Sequence, residues 1–321
     1  MNSPCQYMKT IVLIDGNALM HRSYYGVNKG FIPLYEGAPI GMVFGFTSTL
    51  LHIIDQFRPD QMFVTFDTKE KTFRHDMDEE YKAQRVKAPD DFYAQIPYVY
   101  EMLESFHIPL LLLPGYESDD IIGTIAKRSE NKFPDSRIEI MSGDLDFLQL
   151  VDDRVRLEKF NGAFPLQFGR NETVARFGIE PEQMVDYKAI TGDVSDNYKG
   201  VAGVGPKSAA SLLQKYKTLE GIYEHLDELP ESLQTKFRNA REDAFHCQKL
   251  AQIHTDVPLE IPFEYKFEFT PESTNAFLEK MKFHSLLVRY QKLIKNFSQT
   301  KITEQKIDSG EGAQSEQMNL F

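Results

Sequence analysis

Ile11-Val12-Leu13-Ile14 ends on Asp15, and three further apolar stretches end the same way. Met62-Phe63-Val64-Thr65-Phe66 runs into Asp67. Leu110 to Leu113 leads through Pro114-Gly115-Tyr116 to Glu117, Asp119 and Asp120. Ile138-Glu139-Ile140-Met141 leads to Asp144 and Asp146. Short apolar runs followed by helical patterns read as buried parallel strands. Open α/β sheets bind ligands beyond the carboxyl ends of their strands, so these acids are expected at one edge of one sheet. A fifth pair, Asp193 and Asp196, lies in a glycine-rich segment further on. Crowded carboxylates repel and are tolerated mainly where cations sit between them.

Working outward, residues 9–160 alternate strand and helix patterns, the mark of a parallel α/β sheet. Strands fit near 9–14, 61–66, 109–113 and 137–141, and helices near 40–57, 92–106 and 118–130. The stretch 68–90 is charged and follows Asp67 directly, so it emerges at the acidic edge. A long excursion there is read as functional. From about 171 the strand signals fade. Helical patterns fit 171–177, 182–190, 207–216, 218–226, 231–240 and 242–254. The reading is a sheet domain over 1–170, a helical domain over 171–297, and a flexible, aperiodic tail over 298–321.

The chain has 321 residues, 41% of them hydrophobic, enough for a real core. No run of 18 apolar residues suggests a membrane span, and the N-terminus lacks the apolar core of a signal peptide. Cys5 and Cys247 are the only cysteines, so no disulfide framework is expected and a reducing cytoplasm is the natural compartment. The net charge of −12 argues against nucleic acid when taken alone, but an acid cluster biases that sum. The eight histidines are scattered and read as structural or surface groups.

Any single acid has an ordinary role. Asp119 and Asp120 suit a helix first turn, and Asp15 suits a turn. Capping needs one acid per helix, however, and three segments carry two or more. With no Cys or His in the motifs, zinc does not fit. An all-oxygen shell suits Mg²⁺ or Mn²⁺, and the number of acids suits two ions roughly 3.5–4 Å apart. Such centres hydrolyse phosphate esters. Gly200 to Ala210 (GVAGVGPKSAA) fails as a Walker loop, because Pro206 stands where the lysine belongs. It works as a tight turn into a helix, with Gly203 and Gly205 allowing close approach and Pro206 in the first turn. Lys207 and the free N–H groups then form a phosphate site, with Lys199, Lys215 and Lys217 nearby to contact a nucleic-acid backbone. Arg74, Lys82 and Arg85 of the charged excursion read as substrate contacts, with Lys82 and Arg85 on one face if helical.

Five segments together resemble the bacterial 5′→3′ exonuclease and flap endonuclease family, which includes the nuclease domain of DNA polymerase I. They are Ile14–Tyr25 (IDGNALMHRSYY), Phe63–Arg85 (FVTFDTKEKTFRHDMDEEYKAQR), Gly115–Ala126 (GYESDDIIGTIA), Met141–Val151 (MSGDLDFLQLV) and Ile190–Leu213 (ITGDVSDNYKGVAGVGPKSAASLL). No polymerase portion is present, so the chain looks like a stand-alone nuclease. The resemblance implies a PIN-like fold, a helical arch near 68–90, and a helix-three-turn-helix element that grips duplex DNA. It implies a first metal at Asp15, Asp67, Glu117 and Asp119 with Asp120 close by, and a second shaped by Asp144, Asp146, Asp193 and Asp196. Lys82 and Arg85 would orient the scissile phosphate, and carbonyls around 198–204 would bind K⁺. The implied substrates are nicked or branched duplexes with a 5′ flap or 5′ end, and RNA primers, handled by a monomer. Rival readings are a non-catalytic, structure-specific DNA-binding protein tethered to the sliding clamp, and a ribonuclease of the same fold. Gln317-Met318-Asn319-Leu320-Phe321 resembles the sliding-clamp-binding peptide of bacteria, in which Gln317, Leu320 and Phe321 are the matching positions. Leu320 and Phe321 would fill an apolar pocket while the tail gives reach.

Overall fold

The computed structural model describes residues 8–26, 33–161 and 165–308. Its strands are β1 (Thr10–Asp15), β2 (Leu34–Tyr35), β3 (Ala38–Pro39), β4 (Gln61–Thr65), β5 (Leu110–Leu111), β6 (Arg137–Ser142), β7 (Val155–Lys159) and β8 (Leu166–Phe168). Its first six helices are α1 (Gly16–Gly26), α2 (Gly41–Phe57), α3 (Phe73–Met77), α4 (Asp90–Tyr93), α5 (Ile96–Ser105) and α6 (Ser118–Lys132). Then come α7 (Arg170–Phe177), α8 (Met184–Thr191), α9 (Pro206–Tyr216), α10 (Leu219–Glu224), α11 (Glu231–Asn239), α12 (Arg241–Ala251), α13 (Pro271–Lys280) and α14 (His284–Asp308).

Six strands form one sheet in the order β5-β4-β1-β6-β7-β8, parallel except for β8. Strand β1 is buried along its whole length. It pairs with β4 and β6, which places Asp15 between their carboxyl ends. Alternation in β1 sends Ile11 and Leu13 to one core and Val12 and Ile14 to the other. The first core includes α6 and the helical domain; the second includes α2, α5, α13 and α14. Helix α1 begins directly after Asp15. A Cβ at Gly16 would stand 2.4 Å from the Phe66 ring, so only glycine allows that reversal.

Several expectations need correction. The strand expected at 109–113 shrinks to Leu110–Leu111, because Pro109 and Pro114 flank it and cannot donate to the ladder. The helix expected over 92–106 is broken into α4 and α5, with Pro97 in the first turn of the second. Strands β7 and β8 and helix α1 were not foreseen. The arch region holds one short helix, α3, followed by turns; Lys82 has φ +56°, so Lys82 and Arg85 do not share a helical face. Residues 298–308, expected as flexible tail, continue α14. Their Lys, Glu and Gln are good helix formers extending a helix already started by packed residues.

Helices α13 and α14 do not join the helical domain assigned to 171–297. Phe277, Leu278, Met281, Phe283, Leu286, Tyr290 and Leu293 pack into the core of α2 and α5. The chain returns there through an extended strap at the far edge of the sheet. Gln61 donates to the carbonyls of Phe263 and Tyr265, both at 2.6 Å, and Arg128 donates to those of Val257 and Leu259, both at 2.7 Å. Side-chain donors hold this backbone where neighbouring strands do not.

Candidate active site

Asp15 is 6% exposed and accepts hydrogen bonds from Ala18 N at 3.0 Å and Ser142 Oγ at 2.7 Å. Burial pushes its pKa up to about 6 against those two bonds, with Asp67 and Asp144 adding repulsion. Asp67 accepts from Ser118 N at 2.7 Å, which ties the end of β4 to the start of α6. Asp119, on the first turn of α6, is raised well above the usual carboxylate range by burial and by Asp15 and Asp144. Asp146 is raised to about 7 by burial and Asp144, with Lys188 opposing. Asp193 is held below its ordinary value: burial would raise it, but Lys188 and Ser195 bind its charged form. The carboxylates from β1, α6, the β6 end and the loop after α8 therefore form one mutually repelling edge.

Basic side chains stand among them. Lys82 Nζ lies 2.9 Å from Glu117 Oε1, and Lys188 bridges Asp146 and Asp193. Burial would lower the Lys82 pKa, but Glu117 and Asp196 hold it up. Arg85 Nη2 lies 2.7 Å from Asp196 Oδ1, and Tyr81 donates its hydroxyl to both Glu117 and Asp196. The arch is thus folded down onto the acids. Among the described residues, no three of the carboxylates close around one point as a ready cage. Ammonium groups supply the counter-charge instead. The donor set, oxygen throughout and short of positive charge, fits Mg²⁺ or Mn²⁺.

Two expected site residues lie elsewhere. Asp120 is fully buried and receives a forked pair of 2.8 Å bonds from Arg74. It also accepts from Glu117 N and His254 N, so its lone pairs are committed to the fold and not to a metal. Arg74 is 2% exposed, and its remaining donors reach the carbonyls of Leu250 and Gln252. It locks the helical domain to α6 and cannot face DNA. Asp196 donates its N–H to Asp193 Oδ1 at 3.3 Å while its carboxylate is engaged by Arg85 and Tyr81 of the arch.

The loop carrying Asp193 and Asp196 is a tight hairpin closed by an Asp193–Tyr198 bridge. Gly192 and Gly200 have φ +75° and +62°, and a Cβ on Gly200 would stand 2.4 Å from Gly192 N. Those two glycines, more than Gly203 and Gly205, are what the backbone requires. Beyond them Gly205 caps α9, with Pro206 in its first turn, and Lys199, Gly203, Gly205 and Lys207 are exposed as a phosphate surface needs. The Gly203 carbonyl, in the turn expected to hold K⁺, accepts from Lys236 Nζ at 2.8 Å. Sequence reasoning missed Lys188 and Ser142. A single lysine in the apolar helix Met184–Thr191, five residues before Asp193, was the available signal for the first. Gln317, Leu320 and Phe321 lie outside the described residues.

The parallel sheet, its acidic edge and the helical domain define the architecture of a nuclease. The chain belongs to the 5′-3′ exonuclease family: residues 10–178 match its N-terminal resolvase-like domain and residues 179–275 its C-terminal SAM fold. It is 34% identical over 302 residues to DNA polymerase I of Synechocystis sp., covering 90% of this chain and 30% of that one. It is 36% identical over 277 residues to the thermostable DNA polymerase I of Thermus thermophilus, covering 86% and 32%. The chain therefore spans less than a third of the length of these curated relatives. Among solved structures it is similar in fold to a bacteriophage T5 flap endonuclease complex with DNA and metal ions, with TM-score 0.63, 18% identity, and 89% and 98% of the two chains covered. It is also similar to the catalytic core of Rad2 in complex with DNA substrate, with TM-score 0.57, 13% identity, and 88% and 93% covered.

Proposed function

We propose that this chain is a structure-specific 5′ nuclease, a 5′→3′ exonuclease and 5′-flap endonuclease. It hydrolyses phosphodiesters of nicked or branched DNA in replication and repair, including flaps and RNA primers, as a cytoplasmic monomer. The observation that carries this reading is the acidic edge, with Lys82 and Arg85 set against Glu117 and Asp196 and the α9 turn following directly from the Asp193–Tyr198 hairpin. Asp15, Asp67, Glu117 and Asp119 would hold one Mg²⁺ or Mn²⁺, and Asp144, Asp146 and Asp193 a second, with Asp196 beside it. Such a pair supplies an activated water and stabilises the leaving oxygen. Lys82 and Arg85, released from Glu117 and Asp196, then orient the scissile phosphate and offset its developing charge. Lys199, Lys207 and the N–H groups at the start of α9 grip the duplex backbone. K⁺ at the carbonyls of 198–204 would compete with Lys236 for Gly203. The test is cleavage of a labelled 5′-flap duplex in Mg²⁺ by the wild type and Asp144→Ala. Equal activity in the two overturns the metal assignment.

The lysines already seated among the acids favour one rival, a DNA-binding protein without turnover. Tight flap binding with no cleavage in Mg²⁺ or Mn²⁺ would establish it. The C-terminal peptide is proposed to bind the sliding clamp. Deleting residues 317–321 should abolish clamp binding and leave flap cleavage intact, and retained clamp affinity refutes that partner.

A further inference from the structure

A pocket of about 400 Å³ opens on the face of the sheet opposite the helical domain. Arg22 of α1, Ser48 and His52 of α2, and Arg289 of α14 line it, with no Asp or Glu among the described residues of its lining. Arg289 Nη1 donates to Ser48 O at 3.1 Å and Ser48 Oγ at 3.2 Å, which fixes the guanidinium against the wall. Arg22 lies 5.4 Å from the centre of the Phe160 ring. Burial lowers the pKa of Arg22 and of His52, and Arg289 lowers His52 further while Asp55 opposes. Two guanidiniums converging on one pocket, Arg22 and Arg289, favour an oxyanion, and the neutral imidazole of His52 can add a hydrogen bond.

The pocket adjoins the acid edge. Phe160 N donates to Ser142 O at 3.0 Å, and Ser142 Oγ donates to Asp15 at 2.7 Å. Arg22 is seven residues past Asp15 on α1, about 10 Å along the helix axis. A nucleic-acid strand crossing the acids therefore has backbone phosphates within reach of it. Arg289 lies beyond both matched family domains, which end at residue 275.

We propose that this pocket is a phosphate subsite outside the metal centre, taking a backbone phosphate of the substrate strand as it leaves the acid edge. The proposal rests on the nuclease reading for the identity of that strand; a free phosphate ion offers the same chemistry. Binding of a fluorescent 5′-flap duplex is measured without divalent metal across a salt series. Arg289→Ala should weaken binding about tenfold and lower the salt slope by about one ion, whereas His52→Gln should weaken binding less and leave the slope unchanged. Arg289→Lys should restore most of both, and Lys295→Ala, on the exposed side of the same helix, should change neither. Thermal unfolding of each variant excludes misfolding. In a second arm, inorganic phosphate replaces chloride at matched ionic strength. Stabilisation of the wild type that Arg289→Ala abolishes, with DNA affinity unchanged, would overturn the assignment to a DNA strand in favour of the free ion. Wild-type affinity and slope in both variants, with no phosphate effect, overturn the pocket altogether. Failure of the wild type to cleave flaps in Mg²⁺ would instead break the nuclease reading, which these metal-free arms do not measure.

Discussion

Arg74 and Lys188 each stand between two carboxylates, and they resolve the same electrostatic problem differently. The Arg74 and Asp120 side chains are 3% and 0% exposed, and every donor of the planar fork is matched to a carboxylate or carbonyl. Lys188, Asp146 and Asp193 are 19%, 13% and 11% exposed, and one compact ammonium serves both acids. Asp146 is still pushed up to about 7 there. The guanidinium fork is matched on every donor, whereas the single ammonium leaves Asp146 still resisting ionisation.

Arg74→Ala should break this contrast hardest. It leaves Asp120 buried and unpaired, with a loss of about 3–5 kcal/mol in urea unfolding. Arg74→Lys should recover little of that. A smaller loss, roughly 1–3 kcal/mol, is expected for Gly200→Ala, together with reduced flap cleavage as the Asp193–Tyr198 hairpin is forced open.

Glu139 sharpens the comparison as a buried acid near a second acid, Glu158. Burial pushes its pKa up to about 7, with Arg137 opposing. The folded state therefore holds this proton more tightly than the unfolded chain does. Stability is full below the ordinary value of 4.5 and falls as pH rises through about 7. Glu139→Gln should flatten that fall, raising the melting temperature at pH 8 and leaving it almost unchanged at pH 4. An unaltered pH dependence would refute the assignment.

Lys188→Met should cost about 1–3 kcal/mol while concentrating negative charge. Mg²⁺ should then stabilise the DNA-free protein at lower concentration than it does the wild type, read by thermal shift. Arg85 is 51% exposed, and Arg85→Ala should shift stability least, by less than about 1 kcal/mol. Its effect belongs in cleavage, so full activity in that variant would remove it from the site.

The central sheet was legible because β1, β4 and β6 are buried on both faces and therefore read as apolar runs leading to acid, interrupted in β6 only by Glu139. Of the short edge strands, β8 carries no such run, and β5 keeps only two residues of the run Leu110–Leu113 between Pro109 and Pro114. Position on the sheet also identified Asp15, Asp119 and Asp144 as neighbours. It did not separate Arg74 from Arg85, eleven residues apart in one charged stretch, because their difference lies in partners from residues 117–120 and 250–252. Nor did it separate Asp119 from Asp120, which adjoin in sequence but meet different partners, Asp15 and Asp144 for the first and Arg74 for the second. Long-range pairing decides such cases, and local pattern does not contain it.

The return of α13 and α14 to the core of α2 and α5 has a consequence for biosynthesis. Tyr290 and Leu293 fill a core begun by Val12 and Ile14. A nascent chain thus leaves that core, already lined by α2 and α5, unfilled until α14 has left the ribosome. The catalytic layer, first to be translated, is among the last parts to close, and a truncation before residue 284 should aggregate.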